Sequence, residues 1–530
     1  MNNLKLTLVG KITVFLLIVL VILVPTYMLG GLNGILNKSK TNTTNINNFE
    51  GKPASNPDSA GDSTNASQDP ANPDNTINLS LDEWIGWKSI LDANGGTETQ
   101  KDSIYGKLGL NVKISIINDA TQSSNALIKG DLNAAGYTVN RYSFLYDKFK
   151  TANTDVVMPY ITNSSSGGDG IIAKKGINRI EDLVGKKVGV PRFSEAQTLV
   201  EWLISKSSLT QDDIKKIKND MVFFDTPDDA AKAFFGGKID AAATWQPYLT
   251  QAQSTIGAKV LFSTKAATNI ILDGIIFRKD FYDQHNEQVQ KFIEGSLKAE
   301  SMYTTNFTAI KDSMPLFKTE SDDKIKEMTA DATLSNSTTN KELLNGIAQN
   351  LFSEMSNIWV QLGEKADPQY SKEAFDSSII DSISKDSAVV KAQTPKFTEK
   401  QRESAKAQDD LQALLKTTLT INFQPNLAVI EENSFDSLNK FADIAKILNG
   451  SIIQIEGNVA NVGKSNPEFE KKLSYERAKA VATYLQVQGV DSSRFVIIGN
   501  GTLKQIGNNT TKEGQVKNRR TDIFFKILEQ

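Results

Sequence analysis

The chain has 530 residues, of which 39% are hydrophobic and 23% charged, with a formal net charge of -3. That length predicts two or three domains, and the near-neutral balance gives no basic footprint for nucleic acid. There is no cysteine and one histidine, His285 in YDQHNEQ. Disulfides, thiolate metal sites and cysteine nucleophiles are therefore excluded. A Ser-His-Asp triad or a histidine metal site would need His285, which reads as a solvated residue at a helix start. The chain is expected to be no enzyme and to use no cofactor and no metal.

Taken in order, the first feature is the run Ile12 to Leu32, which lacks Asp, Glu, Lys and Arg. About 20 apolar residues suffice to cross the ~30 Å hydrocarbon layer as a helix. The run predicts a transmembrane helix over 12–32, with residues 1–11 cytoplasmic. The bulk of the chain then lies outside a cell membrane crossed once, in a periplasm or cell-wall zone. A cleaved signal peptide is the alternative, but the run is long for one and has no Ala-x-Ala-like site. Residues 33–76 are mostly Asn, Thr, Ser, Pro, Gly and Asp. They predict a disordered linker, since they cannot bury enough to offset ordering entropy.

From residue 77 to about 390, short apolar runs alternate with helical stretches. INLSLDEW, NVKISII, AAGYTV, DGIIAKK, KKVGVP, MVFFD and DAAATW read as strands. SSNALIKGDL, EAQTLVEWLISK and DDAAKAFFGGKI read as helices. That alternation predicts an α/β sheet with helices on its faces.

GKIDAAATWQPYL (Gly237 to Leu249) leads a set of matching pieces: YGKLGLNVKI, ALIKGDLNAAGYT, IEDLVGKKVGVP and DGIIFRKDF. With them the domain resembles the periplasmic-type solute-binding proteins of nitrate, sulfonate and taurine importers. The resemblance implies two α/β lobes joined by hinge strands, closing on a ligand between them. Candidate ligand residues are Trp84, Gly86, Trp87, Thr138, Arg192, Ser194, Trp245 and Asp273. Trp84, Trp87 and Trp245 stand at strand ends, where open α/β sheets place ligands. They would serve as walls or, for Trp87 and Trp245, as core. Arg192 and Ser194 lie between strand and helix, where free N–H groups favour an anion. Ser194 reads first as an N-cap and second as a ligand donor. At Asp273, where the family crosses back between lobes, a buried carboxylate could meet a ligand ammonium group.

Residues 391–416 read as a charged connector with one surface helix. Over 417–530 the order is β-α-β-α-β, with strands TLTINFQPN, SIIQIEGN, RFVIIGNG and RRTDIFFKI. IEGNVANVG, LSYERAKAVATYLQVQGV and EGQVKNRRTDIFF make this small α+β domain resemble the OmpA-like peptidoglycan-binding domains. That family grips the diaminopimelate of wall peptide with an Asp and an Arg. The Arg maps to Arg477; the Asp position maps to Ala460. Asn461, Arg477 and Arg519 are the candidate wall-binding residues, and the loss of the acid implies weak or altered binding.

The combined expectation is a membrane-anchored extracytoplasmic receptor for a small solute, anions included, with a wall-associated domain. Its partners would be the solute, an ABC transporter permease, peptidoglycan and the membrane. The rival reading is a structural envelope protein linking membrane to peptidoglycan through a non-functional cleft.

Overall fold

A computed structural model describes residues 75–383, 396–408, 415–461, 463 and 466–527. Within them lie three sheets. The first holds β1 (Ile77–Leu81), β2 (Val112–Ile116), β3 (Ala134–Thr138), β4 (Val156–Ser165), β10 (Leu272–Arg278) and β11 (Ala332–Leu334). Its order is β11-β4-β10-β3-β1-β2. The second holds β5 (Asp169–Lys174), β6 (Val188–Pro191), β7 (Met221–Phe224), β8 (Ala241–Trp245) and β9 (Ala258–Ser263), in the order β7-β6-β8-β5-β9. In each sheet three parallel strands adjoin antiparallel ones: β10 beside β3, and β5 beside β8. All ten residues of β4 are buried. A strand covered on both faces shows no polar alternation, so this central strand is invisible to a period-2 reading.

The chain passes from the first sheet to the second between Ser165 and Asp169, and returns between Ser263 and Leu272. Thr264 ties the two crossings together. Its Oγ1 accepts from the Gly167 N–H at 2.9 Å and shares a hydrogen bond with Ser165 Oγ at 2.9 Å. The Trp84 ring lies directly on Gly168, where a Cβ would sit 2.2 Å from a ring atom. Only glycine permits that approach.

Register places the chemistry. β10 sets Asp273 opposite Thr138 at the C-terminal end of β3, and β5 sets Asp169 opposite Trp245 at the C-terminal end of β8. Side chains from both lobes are thereby gathered at the ends where such sheets carry ligands.

The third sheet holds β12 (Leu415–Leu419), β13 (Ile452–Gly457), β14 (Phe495–Gly499) and β15 (Thr521–Lys526), in the order β12-β15-β13-β14. Helices Phe435–Ile447 and Pro467–Val487 accompany it. The turn after the first of these helices is bonded to the returning crossing of the first domain. The Gly450 N–H donates to Ala266 O (3.0 Å), the Thr268 N–H to Asn449 Oδ1 (2.9 Å), and Asn269 Nδ2 to Lys446 O (3.2 Å).

One expectation is corrected here. No helix among the described residues is long and apolar enough to cross a membrane. The run at 12–32 lies outside the described residues, as does most of the expected linker. The single-pass, membrane-anchored architecture and its membrane localisation are therefore set aside. The architecture the structure gives is a two-sheet α/β domain and a small α+β domain.

Candidate functional site

Five charged side chains face one another across the cleft between the first two sheets. Asp82 follows β1, Asp273 lies in β10, and Arg141 stands in helix Val139–Thr151; these belong to the first lobe. Asp169 opens β5 and Glu195 opens helix Glu195–Lys206; these belong to the second. Arg141 Nη2 donates to Glu195 Oε2 at 2.9 Å, so one ion pair spans the lobes. Beside it, Asn140 Nδ2 donates to Thr198 Oγ1 at 3.0 Å. In this closed arrangement both lobes contribute to a single electrostatic group.

The tryptophans have separate tasks. Trp87 is 1% exposed and donates through Nε1 to Asp82 Oδ1 at 2.6 Å. It is a core residue that aims a carboxylate. Trp84 is half-buried and donates to Asn163 Oδ1 at 3.1 Å. Trp245, also half-buried, donates to Asp228 Oδ1 at 2.9 Å. Trp84 and Trp245 line a common cavity of about 20 Å³ with Gln246, Phe317, Met328 and Asp331, room for roughly one water. A larger solute therefore requires the lobes to part.

The other candidates are placed as follows. A Cβ on Gly86 would meet Asn163 and Trp84 at 2.4 Å, so Gly86 serves close packing. Thr138 Oγ1 accepts from the Arg141 N–H at 3.0 Å; it caps the helix that carries Arg141. Ser194 Oγ accepts from the Gln197 N–H at 3.2 Å and donates to Pro191 O at 2.8 Å, which makes it a cap. Arg192 is turned to the surface, its guanidinium 4.3 Å from the Phe223 ring centroid, and does not join the group. His285 is half-buried against the Phe281 ring, 4.5 Å between centroids. Asp82, Arg141, Asn163, Asp169 and Glu195 were not singled out from the sequence. Asp82 and Asp169 each lie in a segment read as a strand, INLSLDEW and DGIIAKK, which was the available signal.

Burial dominates the electrostatics. It pushes the Asp273 carboxyl well above the usual range, and the charges of Asp82, Asp169 and Glu195 push the same way. Burial, reinforced by Glu195, raises Asp169 to about 7. Burial also raises Asp82, against the Trp87 hydrogen bond and the Arg141 charge. For Arg141 burial works against the charge, but Glu195, Asp82 and Tyr137 outweigh it and its pKa rises. Asp273 Oδ2 and Arg141 Nε are buried with no hydrogen-bond partner.

The small domain presents the opposite sign. Arg477, half-buried in helix Pro467–Val487, donates through Nε to Leu427 O at 3.1 Å and lies over the Phe423 ring at 4.9 Å. Burial and the charge of nearby Arg519 lower its pKa. Arg519 is exposed and touches Gln515 Oε1 at 3.3 Å. Neither arginine has an ion pair among the described residues. Asn461 is held elsewhere: its N–H donates to Asn509 Oδ1 and its Oδ1 accepts from Gly463. Arg520 is structural, paired with Asp522 at 2.9 Å. Asn518 is fully buried and bonded to the backbone of residues 506 and 507.

Comparison with known proteins matches residues 101–306 to the family described as NMT1/THI5 like and residues 422–519 to the OmpA family. Over 147 residues the chain is 27% identical to a protein of Brucella abortus (strain 2308) named as a binding protein, covering 27% of this chain and 44% of the relative. Over 89 residues it is 36% identical to the peptidoglycan-binding protein ArfA of Mycobacterium tuberculosis (strain ATCC 25618 / H37Rv), covering 17% of this chain and 27% of the relative. The chain thus spans less than half the length of either. Among solved structures, the aliphatic sulphonate binding protein SsuA of Escherichia coli has a TM-score of 0.45 at 15% identity, covering 56% of this chain and 96% of that one. The nitrate-binding protein NrtA of Synechocystis PCC 6803 has 0.46 at 10%, covering 59% and 88%.

Proposed function

We propose that this chain, which joins an NMT1/THI5-like domain to an OmpA-family domain, is a two-site extracytoplasmic binding protein. Its first domain captures a small solute between two lobes, and its second engages peptidoglycan. Both matched families are characteristically non-catalytic, and the chain is read as a binder rather than an enzyme. The observation that carries the solute reading is the interlobe group. Strand ends from two sheets, joined by two crossings, set Asp82, Arg141, Asp169, Glu195 and Asp273 facing one another. Burying such charges is costly unless they are paired, and Asp273 Oδ2 has no hydrogen-bond partner at the point where both lobes bring carboxylates together. Hinge opening would admit the solute and closure would hold it. Delivery to an importer permease is the next step in this reading.

The wall reading rests on Arg477 and Arg519, two cations without carboxylate partners among the described residues, suited to gripping the carboxylates of wall peptide. The solute reading is tested by native mass spectrometry of the full chain, as purified and after dialysis. One small molecule per chain, removable by dialysis, is expected. A chain that carries no small molecule, and gains none when incubated with a bacterial metabolite extract, would overturn it. The wall reading is tested by co-sedimentation with purified peptidoglycan, where absence of binding would overturn it.

A further inference from the structure

Resting on the solute reading above, we infer that the cleft takes an organic ammonium cation. The ammonium would be received by Asp273 and Asp169, whose strand partners are Thr138 and Trp245. The charge count is the starting point. Four carboxylates (Asp82, Asp169, Glu195 and Asp273) face one guanidinium, Arg141; a fifth, Asp331, also acts on Asp169 and is itself answered by Lys265. That guanidinium is committed: it is hydrogen-bonded to Glu195 across the lobes and held by the charge of Asp82. Among the described residues Asp169 and Asp273, one in each lobe, have no ion pair.

The second observation is independent of the count. Asp273 is 3% exposed, and its Oδ2 has no hydrogen-bond partner. Leaving a buried acceptor unmade costs free energy, and Asp273 differs from Glu300, whose Oε1 is also unpartnered, in being faced by carboxylates of the other lobe. The groups that face it are Asp82, Asp169, Glu195 and the Trp84 ring. A positive group of the ligand answers the three carboxylates directly, while Trp84 turns its indole N–H toward Asp273 and Asn163. The buried Arg141 Nε, also unpartnered, remains as a donor for a hydroxyl or other neutral acceptor on the same ligand.

A metal ion fits less well. Among the described residues no three acidic or histidine groups converge closely enough to hold one. Carboxylates spread across two lobes, with aromatic walls beside them, suit a cation several atoms long. The raised carboxyls add a signature. Binding a cation favours their ionised forms, so complex formation should release protons and tighten with rising pH. An anion would do the reverse.

The test is equilibrium dialysis of the full chain at pH 8. The mixture is equimolar in three cations (choline, putrescine, tetramethylammonium), two zwitterions (glycine betaine, taurine) and two anions (methanesulfonate, nitrate). Retained compounds are read by mass spectrometry. Retention of a cation above all others is expected, weaker at pH 6. Its affinity should fall about 10- to 100-fold in Asp273→Asn. Asp169→Asn provides a second variant, and circular dichroism establishes that each is folded. Preferential retention of a zwitterion or an anion overturns the cation assignment and leaves the solute reading standing. Retention of nothing counts against both. A retained cation whose affinity is unchanged in both folded variants also overturns the assignment.

Discussion

The cleft of the first domain and the arginine pair of the second differ in the sign of what each fold leaves unanswered. In the cleft the surplus is acidic: Asp169 and Asp273 outlast the one arginine available to them. In the small domain the surplus is basic: Arg477 and Arg519 repel each other, and Ala460 stands where the resemblance expects an acid. Other buried charges are paired, as Arg520 is with Asp522 and Lys88 with Asp92, or bonded to backbone carbonyls, as Arg494 is; Glu300 Oε1 is an exception outside the cleft group. A fold that settles its structural charges and leaves a few unsettled at strand ends and helix faces marks where a ligand's charge is to come from. The two sites of one chain would then take ligand groups of opposite sign.

The largest effect is expected at the anchor of that acidic surplus. Trp87 is fully buried and holds Asp82. Replacing it with alanine should cost about 3–5 kcal/mol in stability. Trp245→Ala, at a half-buried ring, should cost much less. Urea unfolding of the two variants distinguishes core from wall, and equal losses would break the division of tasks among the tryptophans.

The acidic surplus should also be visible in pH dependence. Asp169 holds its proton up to about pH 7 in the folded chain, against an ordinary value of 3.8. Between those values the native state binds more protons than the unfolded one, so stability falls as pH rises through the window. Asp273 and Asp82 are raised by burial too and act in the same direction, as do Glu300, raised to about 7, and Asp331, raised to about 6. Asp169→Asn should remove its share of the slope between pH 4 and 7, on the order of a few kcal/mol. Denaturant midpoints measured across that range check the sign; a wild-type stability that rises with pH would contradict it.

How much of this was legible in the sequence depended on locality. GKIDAAATWQPYL placed Trp245 at the end of β8 because strand, turn and helix are contiguous there. The Ser194 cap was legible for the same reason, since it acts within three residues of itself; Thr138, expected at the ligand, caps the helix that carries Arg141 instead. The Arg141–Glu195 pair was not, since it joins residues 54 apart on helices of different lobes, and no local pattern encodes that meeting. Helix Val139–Thr151 went unassigned, and with it the guanidinium that pairs across the lobes. Arg192 drew attention because it sits between strand and helix, yet stacking on Phe223 turns it outward. β4 was missed because burial on both faces erases alternation, and Pro159 interrupts its text. In the small domain, the family motifs located Arg477 and Arg519, but only the fold shows that their charges act on each other.

On the basic side, Arg477→Ala should weaken binding to diaminopimelate-containing wall by about 10- to 100-fold, the loss of charge-assisted hydrogen bonds to a carboxylate. Its stability cost should be modest, because the side chain is half-buried and makes one hydrogen bond, to Leu427 O. Co-sedimentation of folded wild type and variant measures the difference, and undiminished binding would move the wall site away from Arg477.

The smallest effect sharpens the comparison most, because it asks whether the basic surplus can be balanced. Ala460 is 7% exposed. Its neighbours are occupied: the Val459 N–H bonds to Gly501 O, and the Asn461 N–H to Asn509 Oδ1. Asn458, a neutral group that could answer a ligand ammonium, already accepts from Asn500 and donates to Asp522. The wild-type loop thus has little to offer the ammonium of a zwitterionic wall peptide. Ala460→Asp would add a carboxylate there at some cost in desolvation, recovered when the ammonium arrives. A hydrogen bond to a charged group contributes about 1.5–3 kcal/mol. After that cost, a gain of roughly tenfold in wall affinity is expected. Binding of the full chain should rank Ala460→Asp above wild type and wild type above Arg477→Ala. If wild type already binds as tightly as Ala460→Asp, another acidic group serves the site, and the small domain is not the basic counterpart of the cleft.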